Sequence, residues 1–74
     1  MTDEKDLTGT IDQARKIMHD MNQPLTVIMA RSELMMLKIP PDSPHRKAVE
    51  QIHQQGEKLA SLIDDLRTIL RSLL

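Results

Sequence analysis

The amino-acid sequence predicts an all-α fold, an antiparallel helical hairpin that homodimerises into a four-helix bundle. Three observations support this prediction. The 74 residues include no Phe, Tyr, Trp or Cys, so the core must consist of aliphatic side chains and six Met. Apolar residues recur at alternating steps of three and four, which is typical of packed helices. One proline-rich break, at residues 39–44, divides the chain into two such stretches.

The first helix is predicted over about residues 10–39, after a flexible polar leader at 1–9. Thr10 followed by Gln13 is a capping-box pattern, which can satisfy the free N–H groups at a helix start. The seam of this helix is apolar or small, and Ser32 is its one polar member. Its positions are Ile11, Ala14, Met18, Met21, Leu25, Ile28, Ser32, Met35 and Ile39.

The turn is predicted at residues 40–43, because paired prolines end a helix. Ser43 is a typical N-cap residue, and it precedes a proline at the first helical position, where the missing N–H costs nothing. The second helix is therefore predicted over about residues 44–73. Its seam positions are Val49, Ile52, Gly56, Leu59, Ile63, Leu66, Leu70 and Leu73.

Further apolar residues flank both seams, and a two-helix hairpin cannot cover stripes of that width. These residues are Ile17, Val27, Met29, Leu34, Met36, Leu37, Leu62 and Ile69. A chain this short also buries only a modest part of its surface when it folds alone. Two hairpins paired through a symmetric interface would cover both stripes. We therefore predict a homodimer.

The candidate functional residues lie together on the first helix. His19 and Asp20 precede two amides and Pro24. Proline inside a helix costs about 3 kcal/mol, because it lacks an N–H and clashes with the carbonyl four residues back, here that of Asp20. His19 falls one residue off the seam, so we expect it to face outward or to lie at the flank of the bundle. Neutral imidazole is a nucleophile near pH 7, and an adjacent carboxylate can fix its tautomer. This arrangement indicates a reactive site.

The seven-residue run from His19 to Leu25, early on the first helix of a heptad hairpin, resembles the H-box of sensor histidine kinases. The similarity extends to the dimerisation and histidine-phosphotransfer (DHp, HisKA-like) domain of that family, over about residues 10–74. The family's domain is a helical hairpin that pairs into a four-helix bundle. The resemblance therefore implies the same fold that the heptad pattern predicts independently.

The resemblance also implies roles for individual residues. His19 would accept a phosphoryl group and pass it to an aspartate of a response-regulator receiver domain, with Asp20 as the acid/base that orients it. Gln23 stands where Thr or Asn is commonest and would position water for dephosphorylation. Asn22 is either a surface amide or an aid in positioning the ATP-binding domain. Pro24 would be a hinge that allows the helix to bend.

No ATP-binding signature accompanies this hairpin. The two glycines, Gly9 and Gly56, cannot form a loop that cradles phosphates. We therefore expect no cofactor in this chain, with ATP and Mg held by a separate catalytic domain in cis or in trans. The chain would be part of a protein-histidine kinase, either excised from it or acting as a stand-alone module. By itself the chain would not be able to use ATP. Whether it counts as an enzyme stays open.

Charge and hydropathy argue against several other classes. Ten Lys/Arg against eleven Asp/Glu give a net charge of −1, without the basic stripe of a nucleic-acid-binding hairpin. No apolar run approaches the ~20 residues of a membrane span, so we expect a cytoplasmic chain without direct membrane contact. His45 and His53 show no metal-ligand spacing and are predicted as solvent-facing. The main alternative is a catalytically silent dimerisation hairpin. A dimeric RNA-binding hairpin is a weaker alternative.

Overall fold

A computed structural model describes residues 4–73 as two antiparallel α-helices joined by a short turn. α1 runs over Glu4–Lys38 and α2 over Arg46–Ser72, and the two pack along their lengths. The molecule measures 59 × 16 × 15 Å. This confirms the predicted all-α hairpin.

The first helix begins before its predicted start at Thr10. The backbone at Gly9 has no positive φ, so the glycine does not stop the helix. Leu7 lies seven residues before Ala14 and extends the apolar pattern toward the N-terminus. In the structure residues 4–9 belong to α1, and Thr10 lies inside the helix rather than at its cap. Residues 1–3 of that predicted leader lie outside the described part of the chain.

The second helix begins two residues later than predicted, with His45 as its N-cap residue. The side chain of Ser43 accepts a hydrogen bond from the His45 N–H at 3.2 Å, so it closes the turn instead of capping the helix. The Ser43 N–H in turn donates to the Pro40 carbonyl at 3.0 Å. These bonds tighten the connection and keep Pro44 outside α2.

Arg46 ties the end of α1 to the start of α2. Its guanidinium donates hydrogen bonds to the carbonyls of Met36 and Ile39, the latter at 3.0 Å. It also pairs with Glu50 at 2.9 Å. The last carbonyls of a helix lack partners within the helix. Arg46 therefore satisfies groups of α1 that the turn alone would leave unpaired.

Only alternate members of each predicted seam form the core of the hairpin. The buried members are Ile11, Met18, Leu25, Ser32, Val49, Gly56 and Ile63. The intervening members are 39–54% exposed and lie together on one flank, which we call the apolar flank. Its residues are Met21, Ile28, Met35, Ile52, Leu59, Leu66 and Leu73. Within one hairpin each helix packs against a single other helix. That helix covers about half of a seam that is wide enough to contact two helices.

Gly56 lies at a close approach between the two helices. A Cβ at this position would lie 3.0 Å from Cγ of Met29 and 3.9 Å from Cδ1 of Leu25. Because glycine has no side chain, α1 can approach α2 closely at this position. Gly56 is therefore a packing position between the helices.

We predict that Gly56→Leu lowers the free energy of unfolding by about 1–3 kcal/mol, the usual cost of overpacking a core. Thermal and urea unfolding at fixed protein concentration would measure the change. Gly9→Leu is the matched control, because a Cβ at Gly9 meets nothing within 4 Å. Equal stability of the two variants would contradict the close approach.

Candidate functional site

His19 is exposed and lies on the side of α1 opposite the apolar flank. Nine residues separate it from Ile28, which is about two and a half helical turns, so the two side chains point in opposite directions. The side chain of Met18, one residue earlier, is 3% exposed and packs in the core with Leu25 and Ile63. The buried methionine therefore fixes the direction in which His19 is presented. The predicted outward position of His19 is confirmed.

Polar side chains form a shelf on the C-terminal side of His19. His19, Asn22, Gln23 and Thr26 line a shallow surface depression of about 350 Å³. The Thr26 hydroxyl donates to the Asn22 carbonyl at 2.8 Å, which holds the threonine against its own helix. Asn22 is half-buried, whereas Gln23 is exposed. The structure thus brings the three predicted residues His19, Asn22 and Gln23 to one surface.

Arginine side chains form a second pocket on the other side of His19. This pocket has a volume of about 260 Å³ and lies between the helices. Its lining consists of Arg15, Met18, His19, Arg67 and Arg71. No local sequence pattern distinguishes these arginines from the other charged residues of the chain. The pocket depends on which residue of α2 lies opposite His19, and that register is set by the turn.

Asp20 does not contact His19. Among the described residues, neither side chain forms a hydrogen bond or an ion pair. Consecutive residues of a helix point about 100° apart, so the two side chains diverge. Asp20 also lines neither of the two depressions that meet at His19. Its role as the acid/base stays a prediction, which requires both side chains to turn toward each other.

Pro24 lies inside a helix that continues without interruption from Glu4 to Lys38. It removes the N–H that would bond to the Asp20 carbonyl, so α1 is weakened directly after the histidine. Pro24 is exposed, and no core contact holds it in place. The hinge role of Pro24 stays a prediction.

His53 is not the solvent-facing residue that the sequence predicts. Its side chain is 15% exposed, and its Nδ1 lies 3.0 Å from the hydroxyl of the buried Ser32. Its Nε2 lies 2.9 Å from a carboxylate oxygen of Glu57. His53 therefore partners the one polar residue of the core, which explains how Ser32 is tolerated there. His45 is exposed.

Two further properties bear on the kind of site this is. Over residues 4–73, no three His, Cys, Asp or Glu side chains are grouped so that they could hold a metal ion. Within the same residues, neither helix is both long and apolar enough to cross a membrane.

The class of this domain follows from its two-helix hairpin with an exposed histidine together with a comparison against known families. Residues 11–72 match the His Kinase A (phospho-acceptor) domain. Because the match covers more than half of the chain, the chain belongs to this family, as the H-box resemblance implies. Comparisons with curated proteins and with solved structures gave no significant match.

We predict that Pro24→Ala raises the free energy of unfolding by up to about 3 kcal/mol, because it restores the N–H that bonds to the Asp20 carbonyl. Chemical unfolding would measure the gain, and hydrogen exchange would show protection of the new amide. Pro44→Ala is the control, since Pro44 lies in the turn. An equal gain in both variants would show that Pro24 imposes no local weakness on α1.

Proposed function

We propose that His19 is the phosphoacceptor of this domain and that the phosphoryl group passes from it to an aspartate of a response-regulator receiver domain. The observation that carries this proposal is the position of His19. It is exposed, it forms the shared wall of two polar depressions, and it lies within the part of the chain that matches the phospho-acceptor family. His45 and His53 lack such a setting.

The proposed chemistry has two steps. In the first, a ring nitrogen of His19 attacks the γ-phosphorus of ATP, the bond from that phosphorus to the bridging oxygen breaks, and ADP leaves. The ring proton passes to a base, and Asp20 is the carboxylate next to it in the chain. In the second step, the N–P bond breaks while an aspartate oxygen of the receiver binds the phosphorus, and the ring regains a proton.

Other components of this reaction would come from other domains. ATP and Mg would be bound by a separate catalytic domain, which would reach His19 in cis or in trans. Gln23 would position water for dephosphorylation of the partner, which its exposed place on the shelf beside His19 supports. Asn22 would support docking at the same shelf, and Pro24 would permit α1 to bend. The proposed location of the domain is the cytoplasm, where such receivers act.

We also propose that two copies of the hairpin pair through the apolar flank. An open groove of about 520 Å³ runs between the helices on this side, and its lining includes Leu25, Ile28, Ile52 and Leu59. Apolar side chains exposed in a continuous row are typical of protein–protein contacts. Because His19 lies on the opposite side of α1, pairing through the apolar flank leaves the histidine accessible.

We predict that phosphoramidate, a small phosphoryl donor, phosphorylates His19 of the isolated chain. The P–N bond of the donor breaks and ammonia leaves as the imidazole nitrogen binds phosphorus. Phosphorus NMR would show a phosphohistidine signal in the unaltered chain and in His45→Gln, but none in His19→Gln. A signal that persists in His19→Gln would contradict the proposal. No signal in any of them, with the fold intact and a control phosphohistidine formed, would favour a catalytically silent dimerisation hairpin.

We predict that Ile28→Glu converts a dimer into a monomer, because two copies of a charged side chain would be buried at the interface. Sedimentation equilibrium over a range of concentrations would measure the mass. Leu37→Glu is the control, since Leu37 is 84% exposed and points to the side of α1 opposite Ile28. A monomeric unaltered chain, or dissociation by both variants alike, would contradict pairing through the apolar flank.

A further inference from the structure

We propose that Arg15, Arg67 and Arg71 form an anion site that holds the phosphoryl group carried by His19. The proposal deepens the proposed function and rests on it, because it assigns a ligand to the pocket beside the phosphoacceptor. The ligand is a phosphoryl dianion covalently attached to the ring.

The arrangement of the arginines follows from the two helices. Arg15 precedes His19 by four residues, so it lies one turn away on the same side of α1. Arg67 and Arg71 are likewise one turn apart on α2, and the antiparallel packing brings both to the pocket that His19 lines. Three arginines from two helices thus line the same pocket as His19. This pocket is separate from the amide shelf formed by Asn22, Gln23 and Thr26.

The charges at the pocket are unbalanced. The chain as a whole carries a net charge of −1, yet no carboxylate lines this pocket. Asp64 pairs with Arg67 at 2.8 Å, in an ion pair whose side chains are 42% and 73% exposed. Arg15 and Arg71 form no hydrogen bond or ion pair with any described residue. Two guanidinium groups therefore face the pocket without a partner, so an anion can bind them without breaking an existing pair.

A phosphoryl group matches this arrangement chemically. Guanidinium groups bind phosphate oxygens through paired, charge-assisted hydrogen bonds, which are stronger than those between neutral groups. A nearby dianion favours the protonated form of an imidazole, and a protonated ring leaves phosphorus more readily. Guanidinium groups that offset the dianion should reduce ring protonation and slow hydrolysis. In that reaction a water oxygen binds phosphorus, the N–P bond breaks and the ring retains the proton.

Sulfate, a dianion that cannot phosphorylate the ring, tests the anion site without any chemistry at His19. We expect saturable NMR shifts of the His19 ring and of the Arg15 and Arg71 Nε–H groups as sulfate is added at constant ionic strength. The double variant with Arg15→Gln and Arg71→Gln should bind sulfate about fivefold more weakly or worse. The double variant Arg31→Gln/Lys38→Gln is the charge-matched control, because both residues are exposed on α1 and lie outside the pocket. Unsaturable shifts, or equal binding by all variants, would overturn the site.

The lifetime of phosphohistidine tests whether the bound anion is the phosphoryl group of His19. After phosphorylation with phosphoramidate, the phosphorus signal of the Arg15→Gln/Arg71→Gln variant should decay at least about threefold faster than that of the unaltered chain or of Arg31→Gln/Lys38→Gln. Equal decay would overturn the assignment, even if His19 is phosphorylated and the proposed function stands. If His19 accepts no phosphoryl group, the proposed function fails, and the assignment of the pocket to that group fails with it. Saturable, arginine-dependent sulfate binding would then show that the failure lies in the chemistry of His19 and not in the pocket.

Discussion

The close packing of α2 against α1 around Gly56 is the constraint on which the rest of the structure depends. Because Gly56 has no side chain, Met29 and Leu25 of α1 can lie directly against the backbone of α2. This contact continues the core formed by Met18, Leu25 and Ile63. It fixes how the two helices are rotated about their own axes. The rotation in turn decides which side chains are buried, which form the apolar flank and which reach the histidine.

The two flanks of the hairpin have different chemistry. On one side, the rows of exposed aliphatic residues at Ile28 and Ile52 continue through their heptads and offer a surface for a second copy. On the other side lie His19, its amide shelf and three arginines. The surface proposed for association and the surface proposed for phosphoryl transfer are therefore separate. Pro24, which removes a backbone hydrogen bond from α1, lies five residues beyond His19.

Much of the fold could be predicted from the sequence, because heptad spacing and paired prolines are local signals. The helix starts were less predictable, since Thr10 and Ser43 are good caps that a continuing apolar pattern or a competing turn can override. Sequence also could not show which half of each seam is buried within one hairpin. Met21 and Leu25 are both apolar, and the rotation of the two helices about their axes decides which of them is buried.

The candidate site also has a part that the local sequence predicts and a part that it does not. The run from His19 to Pro24 is continuous in the chain, so its residue types are enough by themselves to indicate a site. The arginine pocket and the pairing of His53 with Ser32 join residues far apart in the chain, and both depend on the register between the helices. No local pattern encodes that register, because it is set by the turn and by close packing at Gly56.

The most direct test of the central claim is to identify the phosphorylated atom itself. Heteronuclear NMR of the phosphoramidate-treated chain would correlate phosphorus with the ring protons of the residue that carries it. The account predicts a single correlation, to the imidazole of His19. A correlation to His45 or His53 instead, or no phosphohistidine under conditions that phosphorylate a control domain, would contradict it.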